Sequence, residues 1–522
     1  MIALLSGQPH WRSLLQQEGV PYGAIDAATA VETTAPVLVL DRRPVGPELK
    51  TLDRQLRAGR AVLAGSDSIP VLLGRSRSRR VYIRFIAPDS SSQFSKLGLL
   101  DIDQWTHVPA GAQAGITDGG YGAVFVGSIG NAPVAILPFE LEHLLSRTES
   151  ATRHFHLVSG RSPAEAVSSV ARGEVRRLIG NCLRGLLDRL GLPYVRLSPF
   201  PLGCRGLGAL RVDTDEAIGA ALDPMVDLAR RLNLTFTWFI NTSLMLGKTA
   251  LPDALTDGRQ DVQLHCYRHR AYSDYRRALS DIKTGLQYLA AADVRPSGYA
   301  APYGEWSPGL QRAICDAGLD YSSEFGFAYD DLPVWPILGV DESRALQVPV
   351  HPICIGSLRR ARATSEQMKQ YYGELIQHRF ARREPCLLYD HPASRQAGVL
   401  GTVLEDLRQT CGRWTTLTEY ASWFRLRQRF AYTAEASPKR LSLVAGNVAE
   451  RAEVIVEREG RETWVELADS DLDLQALNWQ ALPTGGRPPR PDRTVRQFDL
   501  RTAVRDVRTS WRRALQKRQR EL

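Results

Sequence analysis

Residues 210–215 read Leu-Arg-Val-Asp-Thr-Asp, a short apolar strand pattern that ends in a pair of carboxylates. Two later stretches have the same form: residues 262–264 run into a pair of histidines, and residues 386–389 run into Asp390-His391-Pro392. Helical patterns separate these runs. Strands that alternate with helices and end in polar groups are typical of a (β/α) barrel, whose functional sites collect at the carboxyl ends of the strands.

Five short segments of this region carry side chains that suit a metal-dependent hydrolytic site. In chain order they are Asp213-Thr214-Asp215, His265-Cys266-Tyr267-Arg268-His269, Ala301-Pro302-Tyr303-Gly304, Asp316 with Tyr321, and Asp390-His391-Pro392. One carboxylate and two histidines four residues apart can hold a divalent ion and leave positions for water and substrate. Each segment alone has a plainer interpretation, such as surface histidines or a helix-capping aspartate. Their fixed order favours one site.

The order of these segments, together with the stretches at residues 235–241 and 298–306, resembles the polysaccharide deacetylase family, also called the NodB homology domain or carbohydrate esterase family 4. The resemblance covers residues 207–430. It implies a distorted (β/α) barrel that removes N-acetyl groups from sugars with the help of a divalent ion, commonly zinc.

The resemblance also implies a role for the residues of the first two segments. Asp215, His265 and His269 match the family's metal ligands. Asp213 matches the general base, which takes a proton from the attacking water. An amide is a poor electrophile with a poor leaving group, so its hydrolysis needs an activated water, a polarised carbonyl and a proton donor.

The remaining candidates match the groups that stabilise the oxyanion and protonate the leaving group. The backbone N–H of Tyr303 matches a donor to the oxyanion, and His391 matches the general acid that protonates the departing amine. Asp390 and Asp316 are the candidates for orienting His391.

Two positions depart from the family pattern. Ala300 stands where the family has an arginine that steadies the base aspartate, and Cys266 stands where it has Ser or Thr. Neither change removes a metal ligand, and both indicate a divergent subgroup. Three arginines are candidates to replace the missing one: Arg211, Arg268 and Arg295.

Residues 1–140 also alternate short apolar runs with helical segments, which predicts an α/β layer with a mainly parallel sheet. The turn at residues 63–67 resembles one in the Rossmann-like domain of glutamine amidotransferases. That family uses a cysteine nucleophile, whereas the first cysteine here is Cys182. We therefore expect a recognition or scaffolding role for this domain, without amidase chemistry.

The other segments are assigned by their patterns. Residues 141–206 are expected to form a connecting helix, from Ser162 to Leu192, and a linker rich in Pro and Gly. Residues 438–483 predict a small β module. Residues 484–522 form a basic tail with 12 Arg or Lys against 4 Asp or Glu. Its possible amphipathic helix either docks on the chain's own β module or lies on an anionic membrane surface. Nucleic-acid binding is not expected, because aromatic residues are sparse there.

Composition limits the class of protein. The 522 residues are 43% apolar and 24% charged, as in soluble globular proteins. We find no export signal at the start and no run long enough to span a membrane. Seven cysteines without paired spacing suit a reducing compartment. These features favour a cytoplasmic location, with the tail as a potential contact to the inner face of the membrane.

The sequence thus predicts a zinc-dependent hydrolase that deacetylates an N-acetylated sugar or glycan precursor in surface-polysaccharide biosynthesis. Two alternatives stay open at this point. One is an amidohydrolase that acts on a formamide or a cyclic ureide. The other is a catalytically inactive glycan-binding or assembly protein, since the family's arginine is replaced by Ala300.

Overall fold

The computed structural model describes residues 2–25, 33–157, 161–215, 217, 219–245, 251, 253–256, 259–392, 397–446, 450–485 and 511. Within them, no helix is both long enough and apolar enough to cross a membrane.

The first part of the chain forms one large mixed sheet. Its strands are β1 (Ile2–Leu5), β2 (Tyr22–Ile25), β3 (Val37–Leu40), β4 (Ala61–Ala64), β5 (Ser78–Ala87), β6 (Leu100–Pro109), β7 (Ala114–Thr117), β8 (Gly122–Ile129) and β9 (Ala132–Ile136). Its helices are α1 (Pro9–Glu18), α2 (Pro47–Arg57), α3 (Ile69–Leu72) and α4 (Leu141–Leu145). The strand order is β2-β1-β3-β4-β9-β8-β7-β5-β6.

This sheet is parallel only in its first half. Strands β2, β1, β3, β4 and β9 pair in parallel, whereas β9, β8, β7, β5 and β6 pair antiparallel. The prediction of a mainly parallel sheet is wrong for residues 81–86 and 123–126. The second run lies in β8, which a tight hairpin joins to β9, and the first lies in β5, which residues 88–99 join to β6 without an α-helix that could form a crossover.

The segment that joins the two large sheets is only partly helical. It contains β10 (Ser150–His154), β11 (Ala164–Ser168), α5 (Arg172–Arg189) and β12 (Tyr194–Leu197). The helix begins ten residues later than expected from the spacing that starts at Ser162, because β11 pairs antiparallel with β10. The apolar face of α5 packs in the core of the first sheet, where Leu178, Leu183 and Leu186 are buried.

The middle of the chain forms an α/β layer around a parallel sheet. Its strands are β13 (Leu207–Asp213), β14 (Thr237–Asn241), β15 (Asp261–Cys266), β16 (Gly298–Tyr299), β17 (Tyr321–Ser322), β18 (Ile337–Leu338), β19 (Asp341–Glu342), β20 (Leu346–Gln347), β21 (Cys386–Asp390) and β22 (Arg413–Trp414). Its helices are α6 (Asp223–Leu232), α7 (Asp253–Thr256), α8 (Tyr275–Ala291), α9 (Pro308–Asp316), α10 (Ile355–Arg360), α11 (Ser365–Ala381), α12 (Ala397–Cys411) and α13 (Leu417–Arg427).

The parallel sheet has the order β20-β17-β16-β15-β14-β13-β21, with β22 also paired to β13. The two edge strands of this sheet, β20 and β21, lie close to each other. His351, just beyond β20, donates a backbone hydrogen bond of 2.8 Å to the carbonyl oxygen of Leu387 in β21. The sheet therefore curls into a distorted barrel. Because all its strands run the same way, their carboxyl ends meet on one face.

The last described part of the chain forms two small antiparallel sheets. Its strands are β23 (Tyr432–Ala436), β24 (Arg440–Ala445), β25 (Glu453–Arg458), β26 (Arg461–Glu466), β27 (Ser470–Asp473) and β28 (Gln480–Ala481). One sheet has the order β23-β24-β27, and the other has the order β12-β25-β26-β28. Strand β12 precedes the barrel in the chain, whereas the other three strands of its sheet follow the barrel.

The tail that was expected to form an amphipathic helix lies outside the described residues, apart from residues 484, 485 and 511. Trp511 is helical and its side chain is exposed.

Candidate functional site

The carboxyl ends of neighbouring barrel strands bring four of the five sequence segments together. Strand β13 ends at Asp213, β15 carries His265 next to its last residue, and β21 ends at Asp390. The turn at Pro302–Gly304 follows β16. These strands belong to one continuous part of the sheet, β16-β15-β14-β13-β21, so the polar side chains after them face one another across the mouth of the barrel.

Asp215, His265 and His269 form a compact group of ligand atoms. Asp215 Oδ1 lies 3.3 Å from His265 Nε2 and 3.1 Å from His269 Nε2. All three ligand atoms lie within 4.8 Å of one another. A divalent ion bound at about 2.0–2.2 Å from nitrogen and oxygen fits such a spacing.

His265 is prepared to act as a ligand through Nε2. Its Nδ1 lies 2.7 Å from the carbonyl oxygen of Ala300. A carbonyl only accepts hydrogen bonds, so Nδ1 carries a proton and Nε2 is the ring nitrogen that faces Asp215. His265 is buried, and among the described residues its Nε2 has no hydrogen-bond partner. A buried nitrogen left in this way fits a metal ligand, and the donor set of one carboxylate and two imidazoles suits zinc.

The backbone and charge around Asp215 also suit a ligand. Asp215 has a φ of 45°, and the side chain of Asn241 donates a hydrogen bond of 2.7 Å to its carbonyl oxygen. Burial alone would raise the pKa of Asp215, but the contacts with His265 and His269 outweigh it and hold the pKa far below its ordinary value. The carboxylate is therefore ionised and ready to bind a cation.

Asp213 and Arg211 form a buried ion pair beside this group. Arg211 Nε lies 2.7 Å from Asp213 Oδ1, and Nη2 lies 2.5 Å from Oδ2. The guanidinium is held in turn by Ser323, whose Oγ lies 3.1 Å from Nη1, and packs over the ring of Phe239. Of the three arginines that were candidates for the role of the arginine missing at Ala300, the structure places Arg211 on Asp213.

His391 completes the group from the other side of the mouth. Its Nε2 lies 3.3 Å from Asp215 Oδ2. Burial lowers the pKa of His391, but its contact with Cys354 and the carboxylates of Asp215 and Asp213 raise the pKa to about 10. A raised pKa favours the protonated imidazole, which is the state that a proton donor needs.

Asp390 contacts the backbone of His391. Its carboxylate accepts hydrogen bonds from the N–H groups of His391 at 2.8 Å and of Ile355 at 3.4 Å. Burial raises the pKa of Asp390 to about 6. The thiol of Cys354 lies beside the imidazole, and one ligand atom each of Cys354, Asp390 and His391 lie within 4.8 Å of one another.

The turn of Tyr303 lies against the two histidines of the metal group. Tyr303 has a φ of 62° and a ψ of 12°, and Gly304 N donates to Ala301 O at 3.0 Å to close the turn. The half-exposed ring of Tyr303 stands edge-on to that of His269 at 4.9 Å. Glu324 fixes the start of the turn, because its Oε1 accepts a hydrogen bond of 3.0 Å from Ala301 N.

Asp316 is the candidate that the structure does not bring to this group. It ends α9, where its carboxylate accepts a hydrogen bond of 2.7 Å from Tyr275 and lies 3.4 Å from Arg344. Both partners are outside the barrel mouth. The residue is partly exposed, so its partners are those of a surface aspartate.

Sequence reasoning missed two groups that shape the site. The first is Cys354, which lies beside His391 and Asp390. The second is Asp281 on α8, whose carboxylate accepts the backbone N–H groups of Tyr267 at 3.0 Å and Arg268 at 3.2 Å, and thereby fixes the loop between the two metal histidines. Neither has a signal in the sequence, because both act through contacts formed only in the folded chain.

Comparison with family models gives no match, and no curated protein matches. Similar solved structures include a protein from Mycobacterium smegmatis assigned to the polysaccharide deacetylases, with 15% identity, a TM-score of 0.37 and coverage of 45% of this chain and 96% of that one. Another is the allantoinase PuuE, with 16% identity, a TM-score of 0.34 and coverage of 43% and 92%. A third is BA3943, a CE4 family pseudoenzyme from Bacillus anthracis, with 15% identity, a TM-score of 0.28 and coverage of 54% and 93%.

Proposed function

We propose that this chain is a metal-dependent hydrolase that removes the N-acetyl group from a sugar or glycan precursor. One observation carries the proposal. The donor group of Asp215, His265 and His269 is accompanied by a buried ion pair, Asp213 with Arg211, and by the imidazole of His391, whose Nε2 lies 3.3 Å from Asp215 Oδ2. Hydrolysis of an amide needs an acceptor and a donor of protons on opposite sides of one bound carbonyl, and these groups supply both.

Each residue of the site has a separate role in the proposed reaction. A divalent ion held by Asp215, His265 and His269 would supply Lewis acidity at the acetyl carbonyl and lower the pKa of water. Asp213 accepts the proton from the attacking water, which adds to the carbonyl carbon. Arg211 holds the carboxylate of Asp213 in one orientation through two hydrogen bonds.

Collapse of the tetrahedral intermediate completes the reaction. The backbone N–H of Tyr303 is the proposed donor to the carbonyl oxygen, where negative charge develops. The C–N bond breaks as His391 gives its proton to the amine, and acetate and the free amine leave. The neutral imidazole then recovers a proton, and Asp213 loses the one it accepted, so the site returns to its starting state.

Acetate release tests this function directly. Full-length protein, supplied with zinc, is incubated with a panel of N-acetylated sugars, nucleotide sugars and lipid-linked precursors, and the Asp213→Asn variant is the control. We expect release that depends on the metal and falls by at least 100-fold in the variant. Stoichiometric metal without acetate release from any member of the panel would favour a binding protein. No bound metal under any condition would contradict the proposal.

The physiological substrate is proposed to be a precursor of a surface polysaccharide handled on the inner face of the membrane. The basic excess of residues 484–522 supports this placement, since clustered Arg and Lys bind anionic lipid. Sedimentation with anionic vesicles of the full chain and of a chain that ends at residue 483 measures the contribution of the tail. Equal sedimentation of the two would contradict the membrane contact.

A further inference from the structure

Three potential metal ligands form a second group beside the proposed hydrolytic centre. Cys354, Asp390 and His391 each offer one ligand atom, and these three atoms lie within 4.8 Å of one another. None of the three residues belongs to the donor group of Asp215. A thiolate, a carboxylate and an imidazole are the side chains that bind zinc in proteins. The barrel mouth therefore carries two separate sets of three donors.

The backbone holds two of these side chains in neighbouring positions. Asp390 ends β21, and Cys354 immediately precedes α10. The N–H of Ile355, the first residue of α10, donates a hydrogen bond of 3.4 Å to Asp390 Oδ2. The N–H of His351 donates a second hydrogen bond, of 2.8 Å, to Leu387 O in β21. The start of α10 is therefore fixed against the end of β21, and the thiol is fixed near the carboxylate.

The carboxylate of Asp390 is buried without a cation of its own. Its hydrogen bonds come from two neutral backbone N–H groups, at 2.8 and 3.4 Å. Among the described residues no Lys or Arg pairs with it directly, and Arg360 acts on it only at longer range. The cationic group that acts on it most is the imidazole of His391, which is already in contact with Asp215. A divalent ion would supply the charge that this buried carboxylate lacks.

His391 opens this second group to the barrel mouth. Its side chain is 33% exposed, whereas Cys354 and Asp390 are buried. Its Nε2 lies 3.3 Å from Asp215 Oδ2, so the imidazole is in contact with both donor groups. An ion that enters the mouth therefore reaches His391 before it reaches the buried thiol.

The two groups differ in how closely their atoms already approach. In the first, Asp215 Oδ1 lies 3.3 Å from His265 and 3.1 Å from His269. The ligand atoms of a tetrahedral zinc ion are about 3.3–3.8 Å apart, so this spacing needs little change. In the second, His391 faces Asp215, and its side chain must turn toward Cys354 to share an ion. This rearrangement costs binding free energy, so we expect the second group to fill only when metal is in excess.

We propose that Cys354, Asp390 and His391 form a second divalent-metal site, which takes a thiophilic ion such as zinc or cobalt and inhibits the hydrolytic centre. The thiolate sets the preference, because soft ligands favour these ions over magnesium, calcium and manganese. The thiol and the imidazolium release their protons to the solvent as the ion binds. The metal site does not depend on the reaction, whereas its inhibitory effect rests on the proposed function.

Inhibition follows from the two uses of one imidazole. As a proton donor, His391 must hold a proton that it can give to the departing amine. A ring nitrogen that binds a metal ion cannot carry a proton as well, so the imidazolium form is lost. Filling the second site should therefore stop acetate release while the first ion stays in place.

Cobalt titration of the metal-free, full-length protein in a phosphine reductant tests the metal site. Cobalt bound to a thiolate absorbs in the near ultraviolet by charge transfer from sulfur, whereas cobalt bound only to nitrogen and oxygen does not. We expect two equivalents to bind per chain, with the sulfur absorption appearing as the second one binds. Lack of this absorption in a large excess of cobalt overturns the proposal.

Variants locate the thiol. Cys354→Ser should lose the sulfur absorption and still bind the first equivalent. The matched control is Cys315→Ser, which should keep the absorption, because Cys315 lies on α9 and its thiol contacts Ser343 at 3.2 Å. Absorption that persists in Cys354→Ser places the cobalt on another thiol and overturns the proposal. If Cys354→Ser does not fold, His391→Gln keeps the test valid, since the loss of this donor should raise the cobalt concentration required by roughly tenfold or more.

A variant of the first group shows whether the two sites are separate. His265→Ala should lose the equivalent without sulfur absorption and keep the other. Loss of the absorption in this variant would mean that one ion uses both groups, which overturns the second site.

Acetate release tests the inhibitory effect. Release by the wild type should fall as the sulfur absorption rises, whereas release by Cys354→Ser should not fall further in excess cobalt. Release that is unchanged when the second equivalent binds overturns the inhibition. A protein that shows the sulfur absorption but releases no acetate at any cobalt concentration contradicts the hydrolase function and leaves the metal site standing.

Discussion

Arg211 and Asp213 lie two residues apart on β13, and their side chains form a two-bonded ion pair inside the barrel. Successive side chains of a strand point to opposite faces, so residues two apart share a face and can meet. Asp213, the proposed general base, thus has an arginine partner on its own strand. In the family that the sequence resembles, the arginine is expected at the position of Ala300, which follows a different strand.

The first prediction concerns this pair. Arg211→Leu should lower acetate release by at least 100-fold, because Asp213 loses its orientation. It should also reduce the free energy of unfolding by about 3–5 kcal/mol, since one partner of a buried pair is left alone. Kinetics and denaturant unfolding measure the two effects.

A second substitution distinguishes the loss of Asp213 orientation from a general loss of stability. The tip of Arg211 reaches Ser323, and Ser323 N donates to Tyr299 O, next to Ala300. Arg211→Leu with Ala300→Arg should therefore recover at least tenfold of the lost acetate release. Recovery of stability without recovery of activity would show that the arginine is structural only.

Metal binding gives the second prediction. His265→Ala and His269→Ala should each lose stoichiometric zinc, because each removes one of three ligand atoms. Adding zinc to metal-free wild type should raise its melting temperature, as for any ligand that binds only the folded state. The variants should show no such rise. A wild type whose melting temperature is insensitive to zinc, nickel and cobalt alike would refute the ligand assignment.

The third prediction separates proton donation from metal binding. His391→Gln should keep zinc but lower the turnover of an N-acetyl sugar by about 10²–10⁴-fold, the usual contribution of a general acid. The turnover of an aryl acetate, whose leaving group needs no proton, should fall much less in this variant. Equal losses for both substrates would mean that His391 does not protonate the leaving group.

Asp316 provides the fourth prediction. Its partners, Tyr275 and Arg344, are on the surface of the barrel. Asp316→Ala should therefore leave acetate release within twofold of the wild type. Asp213→Asn, measured in parallel, supplies the comparison. A large loss of activity in Asp316→Ala, with normal stability, would show that the residue reaches the site during turnover.

The fifth prediction concerns pH and the first sheet. Burial and the neighbouring Asp67 raise the pKa of Glu140 to about 8. A carboxyl with a raised pKa contributes stability below its unfolded value near 4.5, and this contribution is lost as the pH rises toward 8. Glu140→Gln mimics the protonated form and can still accept the hydrogen bond from Ser66. The variant should therefore melt several degrees higher than wild type at pH 8, with the difference shrinking toward pH 5. A constant difference across this range would contradict the assignment.

The sequence alone predicted the barrel from local patterns. Apolar runs at residues 210–212, 262–264 and 386–389 are short enough to be strands, and the polar groups that follow them must lie at strand ends. Parallel strands bring those ends to one face, so the meeting of Asp215 with His265 and His391 follows from the pattern and the handedness of the connections. The approach of these side chains to one another was therefore predictable from the order of the segments.

Other features could not be read from local patterns, because they depend on which distant segments pair. The runs in β5 and β8 were expected to join a parallel sheet, yet both strands pair antiparallel with their neighbours. Strand β12 looked like part of a linker, but it pairs with β25, more than 250 residues later. Backbone hydrogen bonds form between groups that every residue carries, so the local sequence of a strand does not identify the strand with which it pairs.

The sequence by itself determined which residues end the barrel strands, and so which side chains can form the donor group, because strand and helix periods are local properties. Only the tertiary structure decided how those side chains are supported. It selected Arg211 from three arginines as the partner of Asp213, put the Cys354 thiol beside His391, and left Asp316 on the surface. The physical reason is that burial, ion pairing and pKa depend on distances between residues far apart in the chain.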